Sequence, residues 1–307
     1  KIVDYDQLVT ELTFAADEIR KKQRKSFLGG IVNFLEAWQG SNEGYVRFLA
    51  EKQTKFSPVS TLSYLCLDPS IVTKNIFDRI HSGVIMSGTL KPTSMFKEIL
   101  GITRAVQKEY ASPFPPENKL ALVVPQTTTK FTERGEQMYQ KIATLGAHFS
   151  SLIPGNIAFF FPSYDMRDRI SIHFKSHKQL FYEKPDMSKE DKERFIAEFK
   201  GVKENGGVLL AVTGANFAEG VDFPGDLLNG VIVVGLPLSK PDLKTNELIN
   251  YYQKRFGKGC YYGYIYPAMS KCIQSAGRCI RSETDRGVII YLDERFAWPN
   301  YFSCLPR

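Results

Sequence analysis

Residues 207–235 read GVLLAVTGANFAEGVDFPGDLLNGVIVVG, which places a glycine-rich loop between two continuous apolar runs. Apolar runs without polar alternation are typical of strands in a parallel sheet that helices cover on both faces. Similar runs alternate with stretches of helical periodicity elsewhere in the chain, at residues 157–161, 179–183 and 287–292. The sequence therefore predicts an α/β fold built on a parallel sheet.

Residues that cap helices follow three of the predicted strands. Ser163, Ser188 and Asp242 each precede a stretch of helical periodicity. Their side-chain oxygens can accept from the first free N–H groups of a helix. Asp191 stands three residues after Ser188, where a capping box has its acidic residue. Helices are therefore predicted to begin at these positions.

The residues upstream of the sheet are predicted to form mainly helices. Residues 1–56 show amphipathic periodicity, and the first helix ends in a basic cluster, Arg20, Lys21, Lys22, Arg24 and Lys25. The helix dipole favours cations at this end, so a solvated helix end is the commoner interpretation, and a DNA-facing patch is the alternative. We then predict a strand, a helix and a buried strand GVIM, at residues 59–67, 69–81 and 83–86.

The overall composition is that of a globular protein from inside the cell. Of 307 residues, 43% are apolar and 24% are charged, and no run approaches the roughly 20 apolar residues of a membrane span. Five cysteines at irregular spacing suit neither a disulfide framework nor a zinc module, which indicates a reducing compartment. Cys272 and Cys279 are expected to be buried. The net charge of +7 is compatible with a nucleic-acid partner.

The segment PAMSKCIQSAGRCIRS (267–282) is predicted to be a helix that begins at its proline. Because a helix turns by roughly 100° per residue, Gln274, Arg278 and Arg281 are expected to share one polar stripe, with Gly277 beside it. Guanidinium groups present paired donors to phosphate oxygens. The stripe is therefore a candidate phosphate site, and a surface helix with ordinary salt bridges is the alternative.

Four motifs follow one another in the order found in one helicase family. The segment QSAGRCIR (274–281) resembles the QxxGRxxR motif of superfamily 2 helicases, and its continuation to residue 296 resembles the XPD family. The other three motifs are SGTL, IAFFFPSY and TGANFAEGVDFPG, at residues 87–90, 157–164 and 213–225. This resemblance implies three regions: an arch remnant with the end of the first motor domain, a strand with the SGTL motif and the connection, and the second RecA-like motor domain, at residues 1–82, 83–102 and 103–307.

The resemblance also implies roles for single residues. Arg278 and Arg281 are expected to bind the γ-phosphate of ATP and to stabilise the transition state, and Gln274 to contact the nucleotide or orient its helix. Further residues are expected on the nucleotide side or in its coupling to DNA: Ser87, Gly88, Thr89, Gly220, Asp222 and Gly277. Candidates for contact with the DNA backbone are Ser163, Tyr164, Thr213, Gly214 and Asn216.

The implied activity is that of an ATP-dependent 5′→3′ DNA helicase used in nucleotide excision repair, with ATP and Mg²⁺ bound in the intact protein. Its implied partners are single-stranded DNA, the first motor domain and subunits of repair or transcription complexes, in a prokaryotic cytoplasm or a eukaryotic nucleus. The sequence has no GxxxxGK[ST] loop and no DEAH-like box, and it lacks the four cysteines of the family's 4Fe–4S cluster. We therefore expect this chain alone to hydrolyse no ATP.

Two other functional classes stay open. One is a non-catalytic module that binds DNA or docks onto a partner complex. The other is a bacterial damage-inducible helicase, in which the coupling motif usually reads SAT, so that Gly88 favours the XPD type. The tyrosines of the segment YYGYIY (261–266) are either core residues of a strand or a stacking surface for bases, and the core interpretation is preferred.

Overall fold

The structure is a computed structural model, and it describes residues 4–55, 57–218 and 227–306. The chain divides into an N-terminal unit, Lys1–Gly83 with Lys97–Ala105, and a sheet unit, Val84–Phe96 with Val106–Arg307. The domain limits at residues 82 and 102 that the resemblance implies stay predictions. No helix in the described ranges is long and apolar enough to cross a bilayer.

The N-terminal unit begins with a helical hairpin, α1 at Tyr5–Lys22 and α2 at Phe27–Trp38. The Tyr5 hydroxyl donates to Leu35 O across 2.7 Å, so the start of α1 lies beside the end of α2. Ala16 of α1 and Val32 of α2 are buried. The mainly helical character of this segment is confirmed.

An antiparallel ribbon follows the hairpin and corrects part of the prediction. Strand β1, Tyr45–Gln53, pairs with β2, Pro58–Cys66, and α3 spans Ser70–Arg79. The strand and the helix predicted here are confirmed, but the prediction of helix throughout residues 1–56 is wrong for β1. The cause is cross-strand packing, since Tyr45 stacks on Tyr64 with ring centres 4.7 Å apart.

The segment GVIM (83–86) does not form the buried strand that was predicted. It has no strand assignment, and Val84 and Met86 are 86% and 85% exposed. A strand needs a neighbour for its backbone groups, and none of the described strands pairs with this segment. The SGTL motif follows it as a turn, and α4 then spans Thr93–Ile99.

The sheet unit is organised around a six-stranded sheet in the order β3-β8-β7-β4-β6-β5, and every described pair is parallel. Its strands are β3 at Lys119–Val124, β4 at Ile157–Phe161, β5 at Gln179–Tyr182, β6 at Gly207–Val212, β7 at Gly230–Val234 and β8 at Gly287–Leu292. The five predicted strands are confirmed. The edge strand β3 was not predicted.

Helices cover both faces of the sheet, as the apolar runs indicate. They are α5 at Glu136–Leu152, α6 at Tyr164–Ser171, α7 at Lys189–Gly201, α8 at Leu243–Phe256, α9 at Tyr266–Ala276 and α10 at Pro299–Phe302. Neighbouring residues of β4 point to opposite faces, so Phe159 packs with Ile142 and Ile170 while Phe160 packs with Phe199 and Cys272. Two apolar layers therefore enclose the sheet.

The predicted helix starts are confirmed in detail. Ser163 accepts from Met166 N, and Asp242 accepts from Thr245 N across 2.8 Å. Ser188 and Asp191 form a reciprocal capping box. The segment Tyr261–Ile265 is a π-helical turn rather than a strand, although the preferred core interpretation is right for Tyr262, which is buried.

Candidate functional site

All five predicted DNA-contacting residues follow two adjacent strands of the sheet. Ser163 and Tyr164 follow β4, and Thr213, Gly214 and Asn216 follow β6. Strands β4 and β6 are hydrogen-bonded neighbours, and Thr213 N extends their ladder by donating to Phe161 O across 2.9 Å. Ligands of open α/β sheets bind at this carboxyl edge.

Glu183, at the end of β5, fixes the loop after β6. Its side chain is fully buried, and its two carboxylate oxygens accept from Val212 N across 2.6 Å and from Phe217 N across 3.1 Å. Burial raises the pKa of the Glu183 carboxyl, and the backbone hydrogen bonds oppose that rise. Sequence reasoning missed this residue, although an ionisable residue that ends an apolar strand, QLFYE (179–183), was a signal.

Thr213 carries a hydroxyl that has no hydrogen-bond partner among the residues the structure describes. The residue is only 7% exposed. A buried hydroxyl without a partner is costly, so the Thr213 hydroxyl is suited to bond to a group outside the described residues, such as a bound phosphate. Gly214 follows with a φ of +76°, and a Cβ there would lie 3.5 Å from the Lys271 side chain. A cation of α9 therefore lies over the same turn.

The neighbouring polar residues have structural contacts of their own. The Asn216 side-chain amide donates to Lys184 O across 3.0 Å, and the Ser163 hydroxyl is engaged as the cap of α6. The Arg167 guanidinium lies 5.0 Å from the centre of the Tyr164 ring. Burial raises the pKa of the Tyr164 hydroxyl. Ser163 therefore matches the helix-cap alternative, and its contact with DNA stays a prediction.

Helix α9 is shorter than the sequence predicts. It ends at Ala276, whereas the prediction extended it to Ser282. Gly277 N still bonds four residues back to Ile273 O, but Arg278 N and Cys279 N bond only three residues back. The chain thus tightens into a turn that buries Cys279. The two arginines therefore lie beyond the helix, so they do not share a helical stripe with Gln274 as predicted.

The two arginines occupy different surroundings after this turn. Arg278 is half-buried, and its Nε and Nη2 donate to Ala218 O, in the loop after β6, across 3.1 and 2.6 Å. Arg281 is exposed, and its backbone N–H donates to Asp285 Oδ2 across 2.8 Å. A hydrogen bond from Ser282 lowers the pKa of the Asp285 carboxyl. A carboxylate therefore holds the backbone of the Arg281 turn.

The coupling motif and the arginine segment are in direct contact. Gln274 Nε2 donates to Thr89 Oγ1 across 3.2 Å. Ser87 Oγ accepts from Thr89 N across 3.2 Å and lies 3.3 Å from the Thr89 hydroxyl. A Cβ on Gly88 would meet open space, so that position faces outward. The predicted residues Gly220 and Asp222 lie outside the described residues.

Two of the five cysteines are poor ligands for the iron–sulfur cluster that the family implies. Cys272 and Cys279 are buried in the sheet core, and burial raises the pKa of the Cys279 thiol to about 12. A buried apolar thiol is a poor source of the thiolates that hold such a cluster. In the part of the chain that the structure describes, no three His, Cys, Asp or Glu side chains are grouped to hold a metal ion.

Comparison with known proteins identifies the family of this chain. A family model described as the helicase C-terminal domain matches residues 147–307, more than half of the chain. The ATP-dependent DNA helicase DDX11 of Danio rerio is 27% identical over 286 residues, which are 81% of this chain and 32% of that protein. The General transcription and DNA repair factor IIH helicase subunit XPD/RAD3 of Saccharomyces cerevisiae is 23% identical over 91% of this chain and 38% of that protein.

Solved structures support the predicted fold, and this chain covers only part of the length of each protein that it matches. The structure named "XPD_Helicase" superimposes with a TM-score of 0.68 at 22% identity, covering 99% of this chain and 54% of that one. The RecA-like α/β fold expected from the motifs is thereby confirmed. This chain spans about a third of the length of the curated relatives that it matches. By its matched domain, the chain belongs to the helicase C-terminal domain family, and its four ordered motifs are similar to those of XPD-type superfamily 2 helicases.

Proposed function

We propose that this chain supplies the arginine side of an ATP site and part of a single-stranded DNA path in a 5′→3′ ATP-dependent DNA helicase that acts in nucleotide excision repair. The observation that carries the proposal is the hydrogen bond from Gln274 to Thr89, because it joins the arginine segment to the SGTL motif. The names of the two relatives, an ATP-dependent DNA helicase and a DNA repair factor subunit, support the same reading.

On the nucleotide side, Arg281 approaches the γ-phosphate during transfer. Its exposed position and its carboxylate-braced turn support that role. A guanidinium that neutralises the transferring phosphoryl group contributes about 10³–10⁵ in rate. Arg278 binds the same phosphate group and also keeps the β6 loop in place through Ala218 O. Gly277 is proposed to contribute to nucleotide binding on this side, as are Gly220 and Asp222, which lie outside the described residues.

In this proposal, the lysine of the phosphate-binding loop and the magnesium ligands belong to the first motor domain. No segment of the sequence has the spacing of a phosphate-binding loop. ATP and Mg²⁺ are therefore bound in the intact protein, in which both motor domains take part. Mg²⁺ bound there would supply charge neutralisation for the nucleotide phosphates, and its ligands would come from the first motor domain.

On the DNA side, the carboxyl edges of β4 and β6 contact the backbone of one strand. The Thr213 hydroxyl, which has no partner among the described residues, donates to a phosphate oxygen, and Lys271 supplies a cation beside it. Gly214 allows the DNA backbone to approach the turn closely, and Asn216, Ser163 and Tyr164 border the same loops. Phosphate contacts of this kind position a strand without reading its sequence.

The test compares turnover in the chain alone and in the intact protein. The 307-residue chain is expected to hydrolyse no ATP with or without a dT20 oligonucleotide. In the intact protein, Arg281→Ala is expected to abolish DNA-stimulated turnover while nucleotide binding is kept. Arg286→Ala is the matched control, because Arg286 is an exposed arginine nearby that donates to Asn118.

Two results would refute the assignment: DNA-stimulated turnover by the chain alone, or near-normal turnover of Arg281→Ala in the intact protein. The non-catalytic alternative predicts that the chain binds DNA or a partner and that Arg281→Ala leaves ATP turnover unchanged. The same experiment therefore separates a motor from a docking module.

A further inference from the structure

The turn of the N-terminal helical hairpin carries a dense group of cations. Residues 20–33 read RKKQRKSFLGGIVN, with five basic residues and no acidic one. Arg20 pairs with Asp17 across 2.9 Å, and Lys21 pairs with Glu18. Lys22, Arg24 and Lys25 are exposed, and no described acidic side chain pairs with them. The helix dipole of α1 accounts for cations in its last turn, but not for the two that lie beyond it.

Some of these cations line a groove at the turn between the two helices of the hairpin. An open groove of about 360 Å³ is lined by Arg20, Arg24, Lys25, Ser26, Phe27, Gly29, Gly30 and Asn33. The guanidinium of Arg20 lies so close to Gly29 that a Cβ there would collide with it. At Gly30 a Cβ would meet nothing within 4 Å, so the groove floor is open to a ligand backbone.

Phe27 stands at the edge of this groove with its ring in solvent. It is 96% exposed, although it is the first residue of a helix whose other face is packed. The remaining lining residues are cationic, polar or glycine, so they form no apolar cavity for a peptide side chain. A nucleic-acid base requires only a flat face to stack on, and its phosphates require cations within reach. The groove therefore suits single-stranded nucleic acid better than an acidic peptide.

We propose that the hairpin turn, formed by Lys22, Arg24, Lys25 and Phe27, is a second binding site for single-stranded DNA, separate from the residues of the motor domain. The cations contact consecutive phosphates, and the Phe27 ring stacks on one base. This inference shares its ligand with the proposed function but none of its residues. Each can therefore fail without the other.

The first experiment measures binding of fluorescein-labelled dT20 to the 307-residue chain by anisotropy. Stacking on an exposed aromatic ring is worth enough that Phe27→Ala is expected to weaken binding by about 5-fold or more. Phe14→Ala is the matched control, because Phe14 is a 71% exposed phenylalanine of the same hairpin that does not line the groove. Since both rings are exposed, neither change is expected to alter the urea midpoint of unfolding.

The second experiment measures how affinity depends on salt. Replacing Lys22, Arg24 and Lys25 by alanine is expected to lower the slope of log K against log salt by about 2, since each phosphate contact on a single strand contributes roughly 0.7. A control variant removes the same charge from α7 through Lys189→Ala, Lys192→Ala and Lys200→Ala. It is expected to keep the wild-type slope.

Three outcomes would overturn the proposal. The first is wild-type affinity of Phe27→Ala for dT20. The second is an equal change in slope for the hairpin variant and the α7 variant, which would reduce the effect to net charge. The third is binding of the wild-type chain to phosphatidylserine vesicles that the hairpin changes abolish while dT20 binding persists, which would make the turn a membrane contact. The affinity of Thr213→Val for dT20, measured in the same assay, tests the DNA contacts proposed at the carboxyl edges of β4 and β6. The two proposed sites are therefore tested separately.

Discussion

The side-chain amide of Gln274 donates to Thr89 Oγ1 across 3.2 Å, joining two segments that lie 185 residues apart in the sequence. Thr89 is held in turn by Ser87, whose hydroxyl accepts from Thr89 N. The contact links a residue proposed to meet the nucleotide with residues proposed to couple it to DNA. A change at Thr89 should therefore affect the coupling more than the binding of either ligand.

Thr89→Val tests this link, because valine keeps the shape of threonine and removes the acceptor for Gln274. In the intact protein we expect dT20 to stimulate ATP turnover several-fold less, while the Kd for dT20 stays within about 2-fold of wild type, since a neutral hydrogen bond contributes only about 0.5–1.5 kcal/mol. Steady-state ATPase and anisotropy measure the two quantities. Thr93→Val removes a similar hydroxyl contact, with Gln107, and serves as the control. Unchanged stimulation in Thr89→Val would contradict the coupling role.

Glu183→Gln tests the anchor of the β6 loop. The carboxylate accepts from two backbone N–H groups, and an amide offers one acceptor oxygen and one donor NH₂ in its place. One backbone donor then faces another donor in a buried site, which costs roughly 1–3 kcal/mol of unfolding free energy. Urea unfolding at pH 7 measures the loss. Glu198→Gln, an exposed position on α7, controls for the loss of charge.

The pH dependence of this variant follows from the raised pKa of the Glu183 carboxyl. The folded protein holds the proton to a higher pH than the unfolded chain, whose carboxyl titrates near the ordinary value of about 4.3. Folded Glu183 therefore contributes most below that pH, and its contribution falls as pH rises through the folded pKa. Glu183→Gln should lack this fall, so the stability difference between wild type and variant should shrink as pH rises above about 4.3. A difference that grows with pH would show that the pKa of the Glu183 carboxyl is lower in the folded protein than in the unfolded chain.

Much of the fold was predictable because its strands are buried on both faces. Strands β4, β6 and β7 are apolar throughout, and burial of every residue in them explains that pattern. The helix caps were equally predictable, because Ser188 with Asp191 satisfies backbone donors through contacts three residues apart. These features depend on local chemistry, which a sequence displays directly.

The features that the sequence did not reveal depend on partners distant along the chain. Strand β1 owes its conformation to β2, and GVIM (83–86) looks like a strand but has no described neighbour to pair with. Helix α9 ends at Ala276 with Gly277 as its C-cap, and the turn that follows buries Cys279 in the sheet core, a contact that depends on residues distant along the chain. Within the candidate site, the predicted contact residues were found by motif, whereas the bracing role of Glu183 required the fold.

Thr213→Val separates a functional hydroxyl from a structural one. The Thr213 hydroxyl is buried and has no partner among the described residues, so its replacement by a methyl group removes an unsatisfied polar group. We expect the unfolding free energy to stay equal or rise by up to about 1 kcal/mol, while affinity for dT20 falls about 10-fold, the effect of losing one hydrogen bond to a charged group. Thr129→Val is the control, because its hydroxyl is bonded to Asp293 and Arg295. A loss of stability with unchanged DNA affinity would mean that the Thr213 hydroxyl is structural.

The ion pair at the end of β8 should support the sheet and take no direct part in binding. Asp293 is fully buried, bonds to Arg295 at 2.8 Å and accepts from Thr129 N across 2.7 Å. Removing one partner leaves the other charge buried and uncompensated, so Asp293→Ala is expected to lower the unfolding free energy by about 3–5 kcal/mol. Asp165→Ala breaks an exposed pair with Arg169 and is expected to change it by less than about 1 kcal/mol. Urea midpoints measure both changes, and equal midpoints would show that the buried pair contributes no more than a surface one.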